Sequence, residues 1–154
     1  MTSEAAKQVT AFTLATFRLN GLLLAWGDRF SAGFGITSAR WQMLGAIAIA
    51  GQPLTIPQIA VNMGVTRQGA LKQLNLLTKE GLVTAMTNPM HKRSPLYVLT
   101  DQGQQTYSEI EKKWNEHAER LSTAIDPHAL HTANELFAQV AELFAQELER
   151  QDEA

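Results

Sequence analysis

The apolar positions of this chain keep a helical rhythm at both ends and a denser, punctuated pattern between them. Val9, Phe12, Thr16, Leu19, Leu23, Trp26 and Phe30 recur at spacings of three and four, which predicts one long helix over about residues 6–30 with a heptad-like seam. The run SAGFG at 31–35 ends it. Thr37 or Ser38 can cap a second helix running to about Ala50, and Gly51 suits its exit. The stretch MLGAIAIA has the composition of a buried strand, but the caps and the spacing of Trp41, Leu44, Ile47 and Ala48 favour helix. Residues 52–54 read as a short extended link.

Two short capped helices come next. Thr55, two residues before Pro57 and three before Gln58, makes a capping-box start. Ile56, Ile59, Ala60 and Met63 supply an inner face, and Gly64 ends the element. After a turn at 63–65, Thr66 caps a helix to about Glu80, before Gly81, with Ala70, Leu71, Leu74 and Leu77 inward. Residues 82–87 and 96–99 have strand composition, and the pairs Asn88, Pro89 and Ser94, Pro95 bracket a loop between them. Thr100 caps a long helix to about Ile125, with Tyr107, Ile110, Trp114, Leu121 and Ile125 on its seam. Asp126 and Pro127 break the chain and restart it. The last helix carries Leu130, Ala133, Phe137, Val140, Phe144 and Leu148 on one side.

That order predicts a mainly α fold with a small β-wing: a winged helix-turn-helix flanked by N- and C-terminal helices. Residues 1–32 form the N-terminal helix, 33–100 the lobe and 101–154 the C-terminal helices, one intertwined domain overall. A seam as long as the first helix is hard to bury beside so small a lobe. The economical solution is a homodimer in which the terminal helices of two chains interlock; the alternative is an intramolecular bundle. In the dimer, Val9, Phe12 and Leu19 of the first helix and Phe137, Val140 and Phe144 of the last form the interface.

Composition supports a folded domain, since 45% of the 154 residues are hydrophobic and 18% charged. The absence of cysteine removes disulfides, thiolate zinc sites and thiol redox sensing. The start MTSEAAKQ lacks the basic opening of a signal peptide, and the uninterrupted apolar runs near 22–26 and 43–50 are far too short to span a bilayer. The expectation is a cytoplasmic protein with no membrane partner.

Charge changes the picture more. The net −2 conceals a segment, 66–100, in which Arg67, Lys72, Lys79, Lys92 and Arg93 face a single acid, Glu80. The segment after it is strongly acidic. A polyanion would be drawn to the middle of the chain and repelled by its end. At 100° per residue, Gln68, Gly69, Lys72, Asn75, Leu76 and Lys79 share the outer face of the 66–80 helix, with Gln73 at its edge. Amides there can bond adenine bidentately, and lysines can reach guanine or phosphate. Thr66 and Arg67, at the first turn, lie beside N–H groups that attract anions. His91, Lys92 and Arg93 sit at the hairpin tip, where a cation can enter a minor groove. An edge hairpin can also carry such cations merely to block aggregation. The two cationic elements in this order favour duplex DNA as the partner.

Other chemistry is thin. His117, His128 and His131 have no i, i+4 pair that would hold a metal, so no metal or cofactor is expected. His117 suits a hydrogen-bonded interfacial role. Trp26, Phe30, Trp41 and Trp114 are candidates to line a small-molecule effector pocket, against the plainer role of core or interface. There is no P-loop, dinucleotide fingerprint, GxSxG or HExxH, and the chain is not read as an enzyme.

These residues together resemble the MarR family of winged-helix transcriptional regulators, over about residues 5–150. The resemblance is carried by ITSARWQMLGAIA, by PLTIPQIAVNMGVTRQGALKQLNLLTKEGLV, and by TNPMHKRSPLYVLTDQG. It implies a triangular dimer whose two lobes bind an imperfect palindrome. It also implies release of that DNA, usually by a repressor, when a small aromatic or anionic molecule binds. Two positions depart from the family's pattern. His91 stands where an Asp often fixes the wing arginine, which implies a looser wing or a pH-dependent one. Leu76 stands where an Arg is common; it either touches a thymine methyl or is covered by protein. Two alternatives stay open: a winged-helix protein–protein module, and a DNA binder without effector.

Overall fold

The computed structural model describes residues 2–152. Its elements follow in the order α1 (Glu4–Ala32), α2 (Ser38–Ala50), β1 (Leu54–Thr55), α3 (Ile56–Met63), α4 (Arg67–Lys79), β2 (Val83–Met86), β3 (Leu96–Leu99), α5 (Asp101–Ser122) and α6 (Pro127–Asp152). The chain divides into two compact units, and the boundary falls inside α5, between Glu111 and Lys112.

In the first unit, local signals set the helix ends. The Ser3 hydroxyl accepts from Ala6 N at α1, and Thr37 accepts from Arg40 N at α2. Thr55 and Gln58 form a reciprocal capping box at α3, satisfying two first-turn donors at once. Gly64 closes α3 at φ 62°, where a side chain would be strained, and this turns the chain sharply into α4. Thr66 then caps α4 by accepting from Gly69 N.

The lobe's core lies where α2, α3 and α4 meet the sheet. Met43 and Leu44 of α2, Ile59 of α3, and Leu74 and Leu77 of α4 are fully buried, with Val83 and Ile110 closing the cluster. Leu71, expected to point inward, does not: it is 38% exposed, on the flank of α4. The sheet is antiparallel with order β1–β3–β2. Leu54 pairs with Tyr97 and Val83 with Leu99, so the extended link before α3 is a third strand.

The start of α5 is locked to the lobe by LTxxG. Thr100 Oγ1 donates to Gly81 O (2.6 Å) and accepts from Gly103 N (3.0 Å), while Thr100 N donates to Leu82 O (3.1 Å). Position 103 must be glycine, because a Cβ there would lie 2.9 Å from the Leu82 carbonyl carbon and closer still to its oxygen. Beyond it, Tyr107 and Ile110 enter the core.

α1 docks on α2 through its C-terminal part. Gly27 is buried against Ser38, and Asp28 Oδ1 accepts from Ser38 N at 2.8 Å. Much of the rest of α1 is apolar and exposed in the single chain: Val9 is 61% exposed and Phe17 70%. Its uninterrupted apolar runs are short, yet the whole helix is long and apolar enough to cross a membrane by length and composition, the one such helix among the described residues.

In the second unit, α5 ends at Ser122, three residues before the expected Ile125. Asp126 Oδ2 accepts from Ala129 N, with Pro127 in the first position of α6. Leu136, Phe137, Leu143, Phe144 and Leu148 of α6 are all exposed in the single chain.

Candidate nucleic-acid interface

Two cationic elements project from the first unit: the outer face of α4 and the loop joining β2 to β3. Burial of Ala70, Leu74 and Leu77 fixes how α4 is turned about its axis. That rotation leaves Arg67, Gln68, Lys72, Asn75 and Lys79 exposed, with Gln73 half-buried at the edge. Thr66 is the cap, its hydroxyl engaged by Gly69 N at 3.0 Å, so Thr66 shapes the first turn. Gln68, Lys72, Asn75 and Lys79, with Leu71 and Leu76, line a shallow open depression along the helix.

The electrostatics favour an anion. Glu80, the acid of the 66–100 segment, is held in an ion pair by Arg40 of α2, whose side chain is mostly buried. Arg40 also approaches the Thr37 hydroxyl, which anchors it at the start of α2. Among the described residues, none of Arg67, Lys72, Lys79, Lys92 and Arg93 is in an ion pair. Five uncompensated cations thus flank one carboxylate that is already neutralised.

The wing shows a feature the sequence pattern missed. Asn88, 7% exposed, donates through Nδ2 to Ser94 O (2.9 Å) and accepts at Oδ1 from Met90 N (3.0 Å). Its carbonyl accepts from His91 N, and His91 O accepts from Ser94 N. The base of the loop is therefore clamped by Asn88, the first residue of the bracketing Asn-Pro pair. The His91 ring takes no part in these bonds; His91, Lys92 and Arg93 are exposed at the tip.

Of the aromatic residues proposed for an effector pocket, three come together. Trp26 stacks on Phe30 (4.8 Å between ring centroids), and Phe30 meets Trp41 at 5.0 Å and Phe34 at 6.0 Å. Trp114 belongs to the second unit, where its ring packs beside His117. The titration of Tyr107 is perturbed. Burial, the Glu111 charge and a hydrogen bond to Glu111 push its phenol above the ordinary 10.0. His131 Nε2 lies 3.4 Å from Glu135 Oε1 one helical turn on, and no metal-holding group of three such residues occurs among the described residues.

A capped helix-turn-helix with an outward cationic helix and a clamped cationic wing narrows the fold to a winged helix. The MarR family model matches residues 34–94, from the lead-in to α2 to the wing. An uncharacterised protein of Mycobacterium tuberculosis is 38% identical over 128 residues, spanning 83% of this chain and 88% of that protein. The chain belongs to the MarR family. Solved structures of the family share its fold. The M. tuberculosis transcriptional regulator MOSR, in complex with DNA, matches with a TM-score of 0.70 at 21% identity, covering 85% of this chain and 96% of that one. CouR from Rhodococcus jostii RHA1, bound to p-coumaroyl-CoA, matches at 0.74 and 17%, covering 90% and 96%. At these identities the likeness to the two structures is one of fold.

Proposed function

We propose that this MarR-family chain is a homodimeric, sequence-specific reader of duplex DNA, and a repressor that releases a palindromic operator when a small aromatic or anionic ligand binds. The observation that carries the DNA reading is the set of unpaired cations on α4 and the wing, beside a Glu80 already neutralised by Arg40. A protein–protein module would more readily carry acidic or apolar residues at Gln68, Lys72 and Lys79. In this reading Gln68, Lys72 and Gln73 address base edges, and Thr66 and Arg67 address phosphate at the first turn. His91, Lys92 and Arg93 reach the neighbouring minor groove.

The homodimer is supported by exposed apolar rows on α1 and α6, including Val9, Leu19, Phe137 and Phe144. Phe12 and Val140 continue those rows by spacing. Dimerisation also supplies a cover for the apolar length of α1 other than a bilayer, in keeping with a cytoplasmic regulator. Two lobes set about 34–36 Å apart would read successive major grooves. The effector reading is supported by the cluster of Trp26, Phe30 and Trp41, and by neighbours that bind aromatic acids or their thioesters: NadR in complex with 4-hydroxyphenylacetate, and CouR with p-coumaroyl-CoA. A ligand releases DNA only if it favours the released arrangement, by a coupling of about 1–3 kcal/mol.

The test is selection of bound duplexes from random DNA, followed by mobility-shift titration across salt. Gln68→Ala and Lys72→Ala are expected to relax sequence preference and weaken binding by about 1–3 kcal/mol. Arg93→Ala is expected to weaken all sequences and lower the salt slope by about one unit per lost phosphate. Unchanged binding in all three variants would remove α4 and the wing from the interface. A thermal-shift screen of aromatic acids, followed by DNA release with each hit, tests the effector arm.

A further inference from the structure

Leu71 and Leu76 are the anomaly of the reading face. Both are large and apolar, and they are 38% and 40% exposed on a helix whose neighbouring outward positions are polar or cationic. By helical angle, Leu71 lies roughly 60° to one side of Gln68 and Leu76 about 80° to the other. They therefore flank the polar strip of Gln68, Lys72, Asn75 and Lys79, and all six residues line the same depression. Leu76 is not covered by its own lobe.

A helix seated in a major groove turns its two flanks toward the two groove walls, and each wall belongs to one strand. A leucine there can neither donate nor accept a hydrogen bond. Against guanine, cytosine or adenine edges it would strip water from polar atoms and return nothing. The apolar group on the major-groove edge of a base pair is the thymine C5-methyl, which projects toward its own strand. We propose that Leu71 and Leu76 make α4 a reader of thymine, each contacting a C5-methyl on opposite strands of the half-site. Lys72 and Lys79 beside them make a polyanion the fitting occupant of this surface. The inference rests on α4 being the DNA-reading helix.

The test uses full-length protein and the duplex it selects from random DNA. Each thymine of the half-site is replaced in turn by deoxyuridine, which keeps the base pairing and removes only the methyl. Wild-type affinity is expected to fall roughly fourfold at one position on each strand, the worth of one buried methyl. Leu76→Ala is expected to bind the thymine and uracil duplexes alike at one of these positions, and Leu71→Ala at the other. The inference is overturned if no position responds to deoxyuridine, or if the responses survive in both variants. The first measurement needs no variant, so a folding defect cannot shelter the idea. If selection enriches no sequence, the DNA reading itself has failed. If sequences are enriched but methyl loss and both leucine substitutions change nothing, the leucines face a protein partner instead.

Discussion

Replacing Asn88 by alanine isolates the part of the proposed DNA interface that the wing would supply. The substitution deletes two hydrogen bonds from a residue that is 7% exposed, Nδ2 to Ser94 O at 2.9 Å and Met90 N to Oδ1 at 3.0 Å. These bonds tie together the two ends of the loop that carries Lys92 and Arg93. At about 0.5–1.5 kcal/mol net per bond, their loss costs about 1–3 kcal/mol of loop order. The loop lies beyond the paired strands, away from the Leu74–Leu77 core, so the cost falls on local opening more than on global unfolding. Affinity for DNA is expected to drop toward, and not past, the value for the Lys92→Ala, Arg93→Ala double variant, because Asn88 acts only by holding the tip. Fluorescence anisotropy over a salt series measures it, with amide exchange at Met90 and Ser94 reporting the opening directly. In an Arg93→Ala, Lys92→Ala background, Asn88→Ala should add almost nothing. An equal loss with and without those cations would refute the reasoning. Asn88→Asp should not rescue, since it keeps an acceptor for Met90 N but turns a second oxygen toward the Ser94 carbonyl.

Further outcomes are expected elsewhere. Gly103→Ala drives a methyl into the backbone of Leu82, which cannot swing aside, so denaturant titration should show a loss at or above about 3 kcal/mol. Tyr107 is held protonated by the fold, with its pKa above the ordinary 10.0. Its contribution is therefore full below pH 10 and lost as pH rises through the raised value, so stability should fall more steeply above pH 10 in the wild type than in Tyr107→Phe. Arg40→Ala releases the Glu80 carboxylate beside the cationic face; DNA binding should weaken, and adding Glu80→Ala should restore most of it. Phe144→Glu places a charge on the exposed row of α6, and analytical ultracentrifugation should show dissociation to monomers.

What could be read from the sequence was what local chemistry decides. Thr55 with Gln58, Thr66 and Thr100 announce helix starts because a hydroxyl satisfies an orphan N–H within the next turn, and the structure has these caps. β1 was hidden for the opposite reason: two residues carry no periodicity, and the strand exists only because β3 offers it a partner. Leu71 sits where helical angle is least informative, about 100° from the buried centre of α4, and there packing decides. Asn88 looked like turn punctuation, because Asn-Pro fits a loop whether or not the amide reaches across it. Arg40 and Glu80 are 40 residues apart and are brought together only by the fold. The seams of α1 and α6 were plain as patterns, but a seam does not name what covers it.

These non-local contacts bear on how a regulator of this kind could respond to a ligand. Asp28 of α1 accepts from Ser38 N at the start of α2, and buried Gly27 lets the two helices meet where a Cβ would stand 2.6 Å from Ser38 Oγ. Two residues further along α2, Arg40 grips Glu80 at the end of α4. A displacement of α1 would thus be handed through the first turn of α2 to α4, the proposed reading helix. Trp26, Phe30 and Trp41 lie on those same two helices, α1 and α2. A ligand wedged among these rings would find little freedom to deform α4 inside its lobe, since Leu74 and Leu77 are fully buried there. In the proposed homodimer its leverage would be on the attitude of the α1–α2 pair, and so on the placement of each lobe against its partner. Gly27→Ala probes this without touching the aromatic rings or DNA. It should shift the preferred spacing between half-sites in a selection experiment while leaving the base preference of each half-site unchanged. Altered preference within the half-site would mean that α4 is steered by something other than this joint.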